Sequence, residues 1–121
     1  MHLIAATLTA IVAALHLGFL VLEMFLWRTP IGQKIFHLTP EFAAQSAVLA
    51  KNQGLYNGIL AAGLIWTFFI PDPGFQSSAR IFFLTSVVVA GVYGALTAKP
   101  SIFFVQALPA ILALLALFIS L

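Results

Sequence analysis

Leu3–Leu22 reads LIAATLTAIVAALHLGFLVL, a run without Asp, Glu, Lys or Arg. A helix needs about 20 mostly apolar residues to cross the hydrocarbon core of a bilayer, and this run supplies them. Three more charge-free runs follow: Gly54–Ile70, Ile81–Ala98 and Ser101–Leu121. Gly54–Ile70 reaches spanning length once the polar residues before it are included. The runs are continuous rather than alternating, which argues against a membrane β-barrel. The 121-residue chain is 63% hydrophobic and 7% charged, with a mean hydropathy of +1.14. The expected fold is all-α: a single domain over residues 1–121, an integral membrane bundle of four transmembrane helices.

Several functional classes fall away on composition. Leu3–Leu22 has no basic segment before it and no small-x-small cleavage site after it, so it is expected to stay attached as the first helix. Cysteine is absent, which removes disulfides and thiol chemistry. The formal charge of +2 comes from five basic and three acidic residues and forms no basic patch, so the expected partner is the lipid bilayer and not nucleic acid. There is no phosphate-cradling glycine loop, no Gly-x-Ser-x-Gly elbow and no His-Glu-x-x-His run. No cofactor is expected. Nor is a metal, since His16 and Glu23 stand about 10 Å apart along a helix axis, too far to ligate one ion directly.

Breakers set the boundaries. Arg28 and Thr29–Pro30–Ile31–Gly32 predict the end of a first helix near Trp27, followed by a loop from Arg28 to about Leu38. Thr39–Pro40–Glu41 predicts a helix start, with Thr as cap, Pro in the first turn and Glu against the helix dipole. That second helix is expected to run to Ile70. A turn at Pro71–Gly74 then predicts a third helix over Gln76–Ala98, and Ser101 opens a fourth that Pro109 bends or deprives of a hydrogen bond. Arg28 and Lys34 in the first loop and Lys99 in the third outweigh Arg80 on the opposite face. The positive-inside rule then predicts a multi-pass protein of the inner (plasma) membrane with both termini outside the cytoplasm.

Polar residues inside membrane spans are costly and mark interiors, cavities or sites. In the first helix His16, Glu23 and Trp27 fall within about 40° of one another and share a face. Lys51–Asn57 reads KNQGLYN, and its Asn52, Gln53, Tyr56 and Asn57 cover an arc of about 140°. Ala50, Gly54, Gly58 and Ala61 lie beside that arc and suit close helix approach. Tyr93 stands near the end of the third helix and Gln106 near the start of the fourth, each about 7 Å in from its end. Antiparallel topology predicts that all these groups converge in one half of the bundle. A carboxyl in such a place can exchange a proton.

The pattern His16, Glu23, Trp27, then Phe36, then Asn52–Gln53–Gly54–Leu55–Tyr56–Asn57–Gly58 with Leu60–Ala61 resembles the family called domain of unknown function 1304. The resemblance covers essentially the whole chain and implies a small integral membrane protein. It implies no activity.

The leading functional reading is a pocket for a small, mostly apolar or lipidic molecule in the cytoplasmic half. Glu23 and His16 are the candidate catalytic residues. Trp27, Lys51, Asn52, Gln53, Tyr56, Asn57, Tyr93 and Gln106 are the candidate ligand-binding residues. Cofactor-free acid–base chemistry is the enzymatic form of this reading. The alternatives are a proton-coupled small-molecule transporter acting as a homo-dimer and a non-catalytic membrane assembly subunit whose amides hold helices together.

Overall fold

The computed structural model describes residues 2–121, and every regular element among them is helical. The elements are α1 (His2–Met24), α2 (Pro30–Phe36), α3 (Pro40–Thr67), α4 (Pro73–Thr97), a π-helical turn (Phe103–Ala107) and α5 (Leu108–Ser120). Three helical segments are long and apolar enough to cross a membrane: His2–Met24, Pro73–Thr97 and Phe103–Ser120. α3, at 28 residues, is not among them, because Lys51–Asn57 lies in its middle and lowers the hydropathy of the windows that contain it. Many long apolar side chains point outward, Leu3, Val48, Phe69 and Leu96 among them. Such a surface suits the hydrocarbon of a bilayer and a multi-pass membrane protein.

The chain divides into two compact units, residues 14–61 and residues 2–13 with 62–121. In the first unit, α1 ends at Met24, three residues before Trp27, as the Leu26 N–H bonds to Val21 five residues back. The expected loop after Arg28 contains α2 instead. Thr29 caps it, with its hydroxyl accepting from the Gly32 N–H at 3.3 Å, and Pro30 occupies the first turn. His37 closes α2 in the left-handed region, φ 55°. Gly32 is required there, because a Cβ would strike the carbonyl oxygen of Leu26. Thr39 then opens α3 by accepting the Phe42 N–H at 3.1 Å. The buried edge of α3 within this unit is Ala43, Ala50, Gly54 and Asn57, closing with Ala61. At Gly54 an added Cβ would come within 2.6 Å of Met24 Cγ, so the small residue lets α1 and α3 approach closely.

In the second unit, α3 ends at Thr67 rather than Ile70, and tight three-residue turns carry the chain through Phe68 and Phe69. α4 starts three residues earlier than expected because Asp72 caps it, accepting the Phe75 N–H at 2.7 Å. α4 packs on the π turn and α5. Gly91 sits against Ala107, and Gly94 against Ile102. Ala5, Ala116 and Leu117 form a small apolar cluster flanked by Leu8 and Ile81. Pro109 acts one turn upstream of itself: the Leu108 N–H bonds to Phe103, five residues back, in the π turn.

Candidate functional site

One cross-helix polar contact joins two of the expected site residues. Asn57 Nδ2 donates to Glu23 Oε1 at 2.5 Å, across 34 residues of sequence. Two features put them together. Glu23 sits one residue from the end of α1, and Asn57 continues the buried small-residue edge of α3. Gly54, one turn before Asn57, lies against the Glu23 Cβ, and Gly58, one residue after, lies against Leu20. A larger residue at Gly54 would hold the helices apart. Glu23 is half-buried and Asn57 is buried. Among the described residues, the second carboxyl oxygen of Glu23 has no hydrogen-bond partner in the protein. The pair therefore combines a fixed amide, a carboxyl at the edge of an apolar helix and a free acceptor position.

The other expected residues distribute differently. His16 is buried two turns before Glu23 on α1, its ring edge-on to Phe19 at 5.3 Å. Trp27 donates from Nε1 to Ser46 Oγ at 3.0 Å and packs on Phe36 with ring centroids 4.8 Å apart. Trp27 thus ties the chain beyond α1 to α2 and to the first turns of α3. Lys51, Asn52, Gln53 and Tyr56 are exposed, so of the α3 cluster only Asn57 turns inward. Tyr93 and Gln106 belong to the other unit. There Tyr93 is exposed and lines a shallow, open, largely apolar groove along α4 with Phe82, Ser86 and Val89. Gln106 is half-buried in the π turn. Among the described residues no group of three or more His, Asp or Glu side chains converges as a metal site would require.

Two polar features escape the sequence reading. Ser46 is the acceptor that fixes Trp27. Arg80, counted above only as a charge near a helix end, is buried in the second unit against Thr67 and Phe68. A signal for the second existed: Gln76 and Arg80 stand one turn apart at the polar start of an otherwise apolar helix.

Against known proteins, the family model described as protein of unknown function (DUF1304) matches residues 10–118. The chain belongs to the DUF1304 family. It is also 32% identical over 124 residues to a protein of Lactococcus lactis subsp. lactis (strain IL1403) called "Uncharacterized protein YpaA". That match covers 98% of this chain and 99% of the relative. No solved structure matches. The DUF1304 match takes in Glu23, Asn57 and Arg80, so all three belong to the family's shared length.

Proposed function

We propose that this DUF1304 protein crosses the membrane four times, with α3 as the fourth span, and holds a small, mostly apolar ligand at the Glu23–Asn57 pair. Glu23 is the proton-exchanging group, and Asn57 fixes its orientation. The observation that supports the reading is the Asn57–Glu23 hydrogen bond, made between two helices whose neighbouring residues are small or apolar. A polar pair assembled from residues so far apart is expensive to keep in a bilayer unless it is used. The exposed Lys51, Asn52, Gln53 and Tyr56 suit a ligand that arrives laterally and hydrogen-bonds along the outer face of α3. Both termini lie outside the cytoplasm in this reading, from the distribution of Lys and Arg.

The test is mass spectrometry of the protein extracted in native nanodiscs. Wild type should carry a small organic molecule that Glu23→Gln loses while keeping its thermal unfolding. A wild type with no such molecule, or a Glu23→Gln variant that retains it, sinks the proposal. The outward polar face of α3 also favours a second reading, an assembly subunit whose amides contact another chain. Cross-linking from cysteines placed at positions 52 and 56 separates the two: dominant cross-links to other chains, with no bound molecule, select assembly.

A further inference from the structure

Arg80 is 7% exposed in a helix apolar enough to cross a membrane, and its charge has no counter-ion among the described residues. Nε donates to Thr67 Oγ1 at 3.0 Å, and the guanidinium carbon lies 4.3 Å from the centre of the Phe68 ring. Both partners are neutral. The one side-chain carboxylate of this unit, Asp72, is exposed and committed to the Phe75 N–H. Among the described residues Arg80 forms no ion pair. The carbonyls at the end of α3 are not its partners either. Gln76 takes them, donating to Thr67 O at 2.9 Å and Ile70 O at 3.5 Å. Nε is therefore satisfied, while the forked terminal nitrogens have no acceptor among the described residues and are not enclosed, so an outside anion can reach them.

An arginine in a helix apolar enough to cross a membrane is costly unless its charge is matched, and a guanidinium fork matches the two oxygens of a phosphate. Its position supplies that chemistry. Arg80 stands seven residues after Pro73, about 10 Å along α4 from its start. Its side chain runs back toward the α3–α4 turn, as the contacts with Thr67 and Phe68 show. Around that turn stand Trp66, Phe68, Phe69 and Phe75, all partly or largely exposed, with Trp66 and Phe75 packed edge to face at 5.8 Å. Trp66 is the kind of amphipathic ring that sits at the membrane–water interface, the level at which lipid phosphates lie.

We infer that Arg80, steadied by Thr67 and Phe68, binds a phosphate anion at the α3–α4 turn, as the phosphodiester of a lipid headgroup or as free phosphate. The chain has two arginines, and Arg28 is exposed in the other unit. An Arg28→Gln protein labelled with 15N-arginine therefore has a single guanidinium, Arg80. In phosphatidylglycerol vesicles, 15N–31P dipolar dephasing should appear at its terminal nitrogens. Its absence there overturns the lipid source.

Two further arms separate the sources. In a phosphorus-free detergent, native mass spectrometry should show phosphatidylglycerol adducts on wild type that fall about tenfold in Arg80→Gln, because the fork is lost. Millimolar inorganic phosphate that raises the melting temperature of wild type, and not of Arg80→Gln, shows that the free anion binds too. Equal lipid retention in the two proteins, with no response to phosphate, overturns the site altogether. Should Arg80→Gln fail to fold, the dephasing experiment on the Arg28→Gln protein decides alone. It does so independently of any ligand at Glu23.

Discussion

Glu23 and Arg80 are both ionisable groups in apolar helices, and each is held by neutral partners in a different way. Glu23 depends on an amide 34 residues away, so its environment exists only when α1 and α3 are packed. Arg80 depends on Thr67 and Phe68, 13 and 12 residues upstream across one turn, so a helical hairpin is enough to make its environment. The surrounding packing differs as well. In the unit of Glu23, Gly58 abuts the flexible end of Leu20, whereas in the unit of Arg80, Gly91 abuts the backbone of Ala107. Glu23 is thus held by a partner from distant sequence, and Arg80 by partners from nearby sequence. Gly58 meets an adaptable side chain, and Gly91 a fixed backbone.

Asn57→Leu is the sharpest way to break this contrast. It strands the Glu23 carboxyl, and a buried polar group left without its partner costs about 1–3 kcal/mol, so a loss near the upper part of that range is expected on reversible unfolding in detergent. Gln53→Leu, on the exposed side of the same helix, should be nearly silent. Equal stability for the two variants would show that the cross-helix bond does not organise its unit.

Glycine replacements come next. In Gly91→Ala the new Cβ meets Ala107 N at 2.6 Å and its Cβ at 2.9 Å, and the backbone there cannot step aside. Overpacking of this kind costs about 1–3 kcal/mol. Gly58→Ala should cost distinctly less, because Leu20 can change rotamer. Parallel thermal melts of the two proteins compare these two contacts, and a larger effect at Gly58 would reverse the contrast.

Thr67→Val should cost about 1.5 kcal/mol, the low end for a hydrogen bond to a charged group, because Arg80 keeps its ring contact. A loss as large as that of Asn57→Leu, measured in the same melts, would mean that Arg80 is no less dependent on its partner than Glu23. Ser46→Ala is expected to be the mildest, about 0.5–1 kcal/mol, with the loss of the Trp27 tether visible as a change in tryptophan fluorescence.

The legible parts of this chain were those written as composition. Apolar runs announced α1, α4 and the last helix, and Thr39–Pro40 announced α3. α2 was missed although Thr29–Pro30 repeats the same start signal, because its seven residues carry too little periodicity to separate from a loop. Periodicity also says which residues share a face, but not which face turns inward. For α3 the deciding residues were Ala50, Gly54 and Ala61, whose edge includes Asn57 and leaves Lys51, Asn52, Gln53 and Tyr56 outside. Arg80 illustrates a different limit. Counting charges near helix ends treats each as solvated, whereas the structure hides this one behind a ring and a hydroxyl.

The π turn ahead of Pro109 sets a phase within the final segment. A five-residue hydrogen-bonded loop holds one residue more than a regular turn, so everything after it is rotated relative to everything before it by about 100°. Phe103 and Phe104 are thereby indexed separately from the alanine edge of Ala107, Ala110, Ala113 and Ala116, which is the buried side of the segment. Removing Val105 would leave a regular turn there and shift Phe103 and Phe104 by about 100° against the alanines. Either the aromatics or the alanines would then face the wrong neighbours. The π turn works as a clutch: it aims the aromatics within it independently of the alanine edge that follows, and Gly91 is the notch on α4 that takes Ala107.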